Sequence, residues 1–341
     1  MIRPDSFLED VYARVTQDAF SSGGTNPEAW KLRRQLMKVA LSEKLGLTDI
    51  PVRTVVGRSV LEEEVDCGSY VRQRLLLDTG ERLTMPMYAL IPKEGPAVKP
   101  AVLAVHGHGY GAREVIGLQP DGSQNEGPNL YHNFAVELAG KGFIVLVPEL
   151  LGFGERRLEQ DADLEPKQNS CQRLATTLLT AGTTLAGVRI YEMLRALDYL
   201  EERPDVDSAR IGGMGMSGGA MVAAFLAALD ERVRAIVLSG YVNTFRDSIL
   251  SIRHCVDNYV PGLLQVGELP DLVGLIAPRP LLVESGEADR IFPVHGSKAA
   301  ISRLAEIYGF FNASEQLVHD LFEGGHEISG RLAYDWLEQQ L

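Results

Sequence analysis

The stretch Ile211-Gly-Gly-Met-Gly-Met-Ser217-Gly-Gly-Ala220 is the most informative part of the chain. It is typical of a short apolar strand, a tight turn that carries one serine, and a helix of small apolar residues. Such a turn forces the serine backbone into a strained conformation and lifts its hydroxyl off the end of the sheet. Glycine is expected at 215 and 219, because a Cβ at either position would collide with the neighbouring strand or helix. Taken alone, the pattern also fits an ordinary glycine-rich turn.

Short apolar runs alternate with helical segments from residue 100 to the end of the chain. We predict strands at 101–105, 143–147, 211–214, 235–238, 281–283 and 317–321, and helices around 130–140, 185–201, 218–229, 295–308 and 330–340. Unbroken apolar strands between helices indicate a mostly parallel sheet with helices on both faces. The fold class is therefore α/β. In this setting the turn at Ser217 resembles the nucleophile elbow of the α/β-hydrolase fold.

The first hundred residues follow a different pattern. Residues 1 to about 50 are predicted to be helical, with Asn26 as a candidate N-cap and Pro27 at a first helical position. Apolar stretches at 70–77 and 83–91, separated by Asp78-Thr-Gly-Glu81, predict an antiparallel hairpin. We divide the chain into an N-terminal helical extension and lead-in (1–65) and a catalytic domain (66–341). The N-terminal helices are also a candidate surface for contacts in a homo-oligomer.

Composition narrows the function classes. The 341 residues carry a formal net charge of −13, which argues against a nucleic-acid partner, because phosphate contacts need a basic patch. No signal peptide and no apolar run long enough to span a membrane are visible. Cys67, Cys171 and Cys255 are far apart in the sequence and without a CxxC motif, which indicates reduced thiols in a cytoplasmic protein.

Two connections, near 150–184 and 241–276, are too long to be simple loops. Both follow the carboxyl ends of predicted strands, where open α/β sheets bind ligands. We expect them to form the walls and lid of a substrate pocket. The alternative is that they only cover the edge of the sheet.

A serine hydroxyl needs an adjacent base and a third group that orients the base. In α/β-hydrolases these partners follow in the order serine, acid, histidine. Asp289, in the loop after the strand at 281–283, is our candidate acid, with Glu287 as the second choice and Glu284 placed in or at the end of the strand. A solvated acidic loop is the alternative reading of this segment.

His326 is the candidate base. It follows the last predicted strand and the pair Gly324-Gly325, which lets the backbone turn the imidazole back across the end of the sheet. The other histidines considered lie in less suitable places, inside a strand, at a helix start or in the long connection: His319, His132, His295 and His254.

Two backbone N–H groups are needed to stabilise the oxyanion of an acyl-transfer reaction. One is expected from Gly218, directly after the nucleophile. The other is expected from the loop His106-Gly-His-Gly-Tyr-Gly111, and we place it at His108, with an error of one residue either way. The pair His106 and His108 also raises the alternative of a metal site, but no second cluster of histidine or cysteine is visible in the sequence.

Four stretches resemble the dienelactone-hydrolase and acetyl-xylan-esterase-like branch of the α/β-hydrolases: His106-Gly-His-Gly, 147–156, 215–219 and 276–286. The resemblance covers the chain from about Tyr70 to the C-terminus. Dienelactone hydrolases carry a cysteine nucleophile where this chain has Ser217, so their activity is not implied here. Many hydrolases also have Pro-Asp where this chain has Pro148-Glu149.

Polar residues on the segments expected to border the site predict a polar pocket. The candidates are Tyr110, Glu149, Arg156, Asn243, His254 and Asn258. A pocket of this kind suits a sugar ester or a carboxylate-bearing acyl group better than a fatty chain.

The sequence therefore predicts a cofactor-free serine carboxylesterase that forms an acyl-enzyme on a small, short-acyl ester, without a metal and without membrane or nucleic-acid partners. Three alternatives remain at this stage. A serine peptidase of the prolyl-oligopeptidase kind shares the motif order, although no propeller-length N-terminal region is present. A metal-dependent hydrolase and a non-catalytic binding module built on the same fold are the others.

Overall fold

The computed structural model describes residues 4–21, 27–49, 58–80, 82–127 and 129–341. Within these ranges the strands are β1 (Ser59–Asp66), β2 (Tyr70–Gly80), β3 (Leu83–Pro92), β4 (Lys99–Val105), β5 (Ile144–Pro148), β6 (Val206–Met216), β7 (Val233–Ser239), β8 (Leu281–Gly286) and β9 (Leu317–Phe322). The α-helices are α1 (Asp5–Ser21), α2 (Pro27–Leu45), α3 (Ala112–Val115), α4 (Phe134–Gly140), α5 (Cys171–Thr180), α6 (Leu185–Glu202), α7 (Gly218–Leu229), α8 (Leu263–Val266), α9 (Leu269–Val273), α10 (Val294–Gly309) and α11 (Ala333–Gln340).

The described strands form one sheet in the order β1-β2-β3-β5-β4-β6-β7-β8-β9. The strands from β5 to β9 pair in parallel, and β1, β2, β3 and β5 pair antiparallel. This arrangement confirms the predicted mostly parallel sheet with an antiparallel N-terminal hairpin. Because β4 and β6 are neighbouring parallel strands, the loops that follow them lie at the same edge of the sheet.

Helices cover both faces of the sheet, each over its own apolar core. One core contains buried side chains of α2, α6, α7 and α10, and the other contains those of α3, α4 and α11. The central strands are buried on both faces, which explains why they appear in the sequence as unbroken apolar runs.

Among the described strands, β1 is the one that the sequence did not predict. It pairs with β2 and adds a third strand to the expected hairpin, but nearly all of its residues are exposed. Its acidic run Glu62-Glu-Glu64 gives no apolar alternation, although charge of this kind suits an edge strand that must not pair with another chain. Asn26 and Glu81, predicted to cap a helix and to close the hairpin, lie outside the described residues.

Helix α2 begins at Pro27, as predicted, and is part of the protein core. Trp30, Leu41 and Leu45 are fully buried, and they belong to the same apolar cluster as α6 and α7. Other apolar side chains of the N-terminal helices are exposed: Phe7, Leu8, Leu32, Leu36 and Val39. Contact between copies of the chain through these helices stays a prediction.

The end of α2 docks tightly on the start of α6. The hydroxyl of Thr184 donates a hydrogen bond to the Leu45 carbonyl oxygen at 2.9 Å and accepts one from the Gly187 N–H at 2.9 Å. A Cβ built on Gly187 would lie 1.9 Å from the same carbonyl oxygen. Glycine at 187 is therefore what allows the backbones of the two helices to approach.

The long connections carry extra structure, as their length suggested. Residues 150–184 contain α5 and two short 3-10 helices, and residues 241–276 contain α8, α9 and two more. In the described part of the chain, no helix is both long and apolar enough to cross a membrane.

We predict that Gly187→Ala lowers the free energy of unfolding by about 1–3 kcal/mol, because the added methyl group overpacks the junction of α2 and α6. The measurement is urea unfolding followed by circular dichroism. Gly140→Ala, also in a helix but with open space around its Cβ position, is the matched control. The Gly140→Ala control should keep the wild-type free energy of unfolding or raise it by up to about 1 kcal/mol. Equal stability of the two variants would contradict the docking described here.

Candidate active site

Ser217 stands in a sharp turn between β6 and α7. Its backbone has φ 55° and ψ −125°, in a region that a non-glycine residue rarely adopts. The turn is held by the Ser217 N–H, which donates to the Ser239 carbonyl oxygen on β7 at 2.9 Å. A Cβ on Gly215 would lie 2.6 Å from the Gly219 carbonyl oxygen, and one on Gly219 would lie 2.3 Å from that of Val105. Both glycines are therefore sterically required.

The loop after β4 lies directly against this turn. Val105 pairs with Gly215 in the parallel ladder, so the two strands end side by side. A Cβ on Gly107 would lie 2.5 Å from the Met216 carbonyl oxygen and 3.4 Å from the Gly218 nitrogen. The ring of His108 also reaches the turn, since its Nδ1 lies 3.4 Å from the position of a Cβ on Gly218. The structure thus brings together the loop and the helix start that were predicted to supply oxyanion donors.

Asp289 and His326 meet at the carboxyl ends of β8 and β9. Asp289 Oδ2 lies 2.7 Å from His326 Nδ1. The other carboxylate oxygen accepts the backbone N–H groups of Ile291 at 2.7 Å and Phe292 at 3.0 Å. These bonds fix the carboxylate, and the ring of Phe292 stacks on the imidazole with a centroid distance of 5.6 Å. His326 Nε2, the other ring nitrogen, has no hydrogen bond to any residue in the described part of the chain.

Two residues that the sequence reasoning did not assign a role support this pair. Gly240 has φ 57°, and a Cβ there would lie 3.1 Å from His326 Cε1, so glycine leaves room for the imidazole. Glu284 is buried in β8 and accepts the Gly330 N–H at 2.8 Å, which ties the segment after His326 to the sheet. Burial raises the pKa of Glu284, against the opposing effect of its hydrogen bonds. The sequence contained only weak signals for these roles: Gly240 follows a predicted strand, and Glu284 is a carboxylate within an apolar strand.

A cavity of about 380 Å³ opens above Ser217. Its lining includes Ser217, Gly218, His108 and His326. Further walls come from the 241–276 connection and from the loop after Asp289: Ile252, Arg253, His254, Cys255, Asn258, Ile291 and Phe292. Residues of the 150–184 connection are not among the lining residues of this cavity. The second long connection thus contributes to this cavity, and the role of the two connections as walls and lid of a substrate pocket stays a prediction.

His254 and Asn258, two of the six predicted pocket residues, line the cavity with Ser217. Burial lowers the pKa of His254, and its Nε2 atom has no hydrogen-bond partner among the described residues. The ring lies edge-on to Phe292 at a centroid distance of 5.5 Å. The unpaired ring nitrogen is itself buried in the wall of the cavity.

Tyr110 and Glu149 lie elsewhere, beside a second cavity of about 300 Å³. The Tyr110 hydroxyl donates to the Leu118 carbonyl oxygen at 2.9 Å. The Glu149 carboxylate accepts the Ala112 N–H at 3.2 Å and is enclosed so closely that a Cβ on Gly111 would overlap it. The expectation that they border the pocket is therefore corrected, because both side chains hold the loop after β4 in place.

Arg156 and Asn243 also differ from the expectation. Arg156 is buried in a bidentate ion pair with Glu192, at 2.6 and 2.7 Å, since a buried guanidinium needs a matched carboxylate. Asn243 is fully buried, and its amide donates to the Pro293 carbonyl oxygen at 2.9 Å and to Ser297 Oγ at 3.0 Å. Asn243 thus braces the segment that follows Asp289 instead of facing the cavity.

The histidines at 106 and 108 do not share a site. The fully buried His106 ring lies 2.8 Å from the Gly107 carbonyl oxygen at Nδ1 and accepts the Leu150 N–H at Nε2. Both rings pack edge-on against Phe153, but among the described residues only His108 belongs to a group of possible metal ligands, and the other members of that group are Cys171, Cys255 and Asp257. The predicted alternative of a shared His106–His108 metal site is therefore wrong.

Two cysteines that are far apart in the sequence come together behind His108. Cys171 Sγ, Cys255 Sγ, His108 and a carboxylate oxygen of Asp257 all lie within 4.8 Å of one another. The hydrogen bond with Cys255 lowers the pKa of the Cys171 thiol to about 5, against the effect of burial and with the help of the Arg189 guanidinium. No pattern in the sequence, in which no second group of histidine or cysteine was visible, indicated this cluster; the three cysteines are free thiols.

Comparisons with known proteins place the chain in a family. A model of the Abhydrolase family matches residues 47–312. The chain is also 31% identical over 293 residues to "Putative hydrolase YtaP" of Bacillus subtilis (strain 168), an alignment that covers 83% of this chain and 89% of the relative.

Solved structures show the same fold at low identity. A "putative acetyl xylan esterase (BF1801)" from Bacteroides fragilis NCTC 9343 superposes with a TM-score of 0.80 at 16% identity, over 100% of this chain and 97% of that one. A glucuronoyl esterase from Solibacter usitatus superposes with a TM-score of 0.66 at 15% identity, over 93% and 92% of the two chains. With the elbow, the mostly parallel sheet and the family match in agreement, the chain belongs to the Abhydrolase family.

Proposed function

We propose that this protein is a carboxylic-ester hydrolase that works through an acyl-enzyme on Ser217. The observation that carries the proposal is the convergence of the strained Ser217 turn and the Asp289–His326 hydrogen bond on one cavity. The two structural neighbours named above are described as esterases, which supports the same reaction class.

His326 acts as the general base in this proposal. The Nδ1–H of His326 donates a hydrogen bond to Asp289 Oδ2, so Nε2 is left unprotonated and can take the hydroxyl proton of Ser217. The serine oxygen attacks the ester carbonyl, and His326 then returns the proton to the leaving alcohol. Water repeats the sequence on the acyl-enzyme and releases the acid.

Backbone N–H groups stabilise the negative charge that develops on the carbonyl oxygen. Gly218 is the first residue of α7, so its N–H has no partner within the helix and the helix dipole adds to its effect. His108 supplies the second N–H, from the loop that Gly107 allows to approach the turn. Gly218 is fixed at the start of α7, and the His108 carbonyl oxygen accepts a hydrogen bond from the Tyr131 hydroxyl at 3.1 Å, so both donors are positioned before substrate arrives.

The cavity suits a short acyl group and a polar alcohol. Its volume of about 380 Å³ is at the small end of ligand sites. Ile252, Ile291 and Phe292 supply apolar surface, and His254 Nε2, unpaired and buried in the cavity wall, would supply a polar contact for a hydroxyl group once the ring turns toward the ligand. We therefore infer an acetyl or similarly short ester of a sugar-like alcohol as the substrate class.

We predict that a fluorophosphonate probe adds once to the wild-type protein and not to Ser217→Ala, as measured by intact mass. The serine hydroxyl is the activated nucleophile, and its removal leaves nothing for the probe to modify. Ser251→Ala, which removes an exposed serine of the 241–276 connection, is the control and should label like the wild type. Labelling that persists in Ser217→Ala would reject this nucleophile.

We predict that Asp289→Asn lowers kcat by about 10⁴-fold on p-nitrophenyl acetate. Asparagine can still accept the Ile291 and Phe292 N–H groups, but its amide then donates to His326 Nδ1 and leaves Nε2 protonated. Glu287→Gln, which changes the second-choice acid at an exposed position, should keep wild-type activity. Steady-state kinetics and the unfolding midpoint of both variants test the assignment. If Glu287→Gln shows the larger loss, the acid is misassigned.

We predict that His254→Phe lowers kcat/KM about tenfold for an acetylated sugar and leaves p-nitrophenyl acetate unchanged, since phenylalanine keeps the ring but not Nε2. A tenfold change corresponds to about 1.4 kcal/mol, as expected for one hydrogen bond.

The wild type should also prefer the acetyl ester to a long-chain acyl ester by at least about tenfold in kcat/KM. Preference for the long chain would exclude this substrate class.

A further inference from the structure

We propose that His108, Cys171, Cys255 and Asp257 form a zinc-binding site behind the wall of the active-site cavity. The inference is independent of ester hydrolysis, because it rests on the side chains of this cluster and not on Ser217. The four residues come from the loop after β4, the first turn of α5 and the 241–276 connection. A bound ion would therefore join three separate segments.

The donor atoms are those that zinc prefers. Zinc takes thiolate sulfur, imidazole nitrogen and carboxylate oxygen, usually four of them in a tetrahedron. Two sulfurs, one nitrogen and one oxygen here lie within 4.8 Å of one another. The edges of a zinc tetrahedron with such ligands are about 3.3 to 3.8 Å long. Inward movement of each donor by less than about 1 Å would complete the site.

His108 Nε2 is an independent sign of a missing ligand. This buried ring nitrogen has no hydrogen-bond partner among the described residues, and its distance to Asp257 Oδ2 is 3.9 Å. Buried polar atoms of native proteins nearly always have a partner, so an unsatisfied one requires an explanation. A metal ion between the imidazole and the carboxylate would satisfy it.

The charges of the cluster also fit a divalent cation. Arg189 is buried beside the cluster, and its guanidinium donates to Asp257 Oδ2 at 2.6 Å and to Cys171 Sγ at 3.1 Å. Two thiolates and one carboxylate carry three negative charges, which zinc and Arg189 together neutralise. This balance is needed at a buried site, because an unpaired charge there is strongly unfavourable.

The surroundings provide an outer shell and an entry path. Asp257 Oδ1 accepts the Asn258 amide at 2.8 Å, so the carboxylate is oriented from both sides. Cys171 and Asp257 are buried, whereas Cys255 and His108 line the cavity above Ser217. An ion can thus enter through the active-site cavity. Once bound, it would hold the His108 loop, which carries a proposed oxyanion donor, to the 241–276 connection.

The test is metal binding by the full chain after chelation and reduction. We expect one Zn²⁺ per chain, and Co²⁺ in its place should give the near-ultraviolet absorption of thiolate-to-cobalt charge transfer. Cys171→Ser and Cys255→Ser should each weaken binding by about 100-fold or more, because even an outer-shell change costs 10–100-fold. Cys67→Ser, which changes a cysteine outside the cluster, should bind like the wild type. Ser217→Ala should also bind normally, whatever happens to its activity.

A second measurement uses only the wild type, in case a variant fails to fold. Zn²⁺ should protect two of the three native thiols from a disulfide reagent and leave Cys67 reactive. Absence of the charge-transfer band, binding that survives both cluster substitutions, or thiol reactivity that Zn²⁺ does not change would each overturn the proposal.

Discussion

The close approach of backbone to backbone around Ser217 is the constraint on which the rest of the site depends. Three glycines make it possible, at 107, 215 and 219, and a Cβ at any of them would lie within 2.6 Å of a carbonyl oxygen. Because the chain cannot relax at these points, Ser217 keeps its positive φ and its hydroxyl stays at the end of the sheet. The packing of the strands on either side stabilises the turn against this backbone strain.

The parallel pairing of the strands places the loops of the candidate site next to the Ser217 turn. Val105 pairs with Gly215, Met216 with Ser239, and Ser239 with Glu284, so successive strands end in register. The loop of His108, the Ser217 turn, Gly240 and the Asp289 loop therefore meet along one edge. His108 then links this edge to the cysteine cluster, because its ring lies between the Ser217 turn and Asp257. The proposed reaction site and the proposed metal site share that loop.

Most of the fold could be predicted from short-range patterns in the sequence. The central strands were visible because burial on both faces demands unbroken apolar runs, and the order of Ser217, Asp289 and His326 follows from the sheet. Exposed β1 had no such pattern. The contacts of the two long connections could not be predicted from the sequence either, because these contacts depend on packing between segments that are distant along the chain. Cys171 meets Cys255, and Arg156 is matched by Glu192, through the placement of α5 and α6.

In the proposed reaction, Ser217 carries the acyl group during turnover. The most direct measurement is rapid acid quenching of the protein with p-nitrophenyl acetate, followed by peptide mapping by mass spectrometry. We expect a transient acetyl group on the peptide that contains Ser217, formed with the first burst of p-nitrophenol and absent at the end of the reaction. Turnover without acetylation of that peptide, or acetylation of another residue at the same rate as turnover, would contradict it.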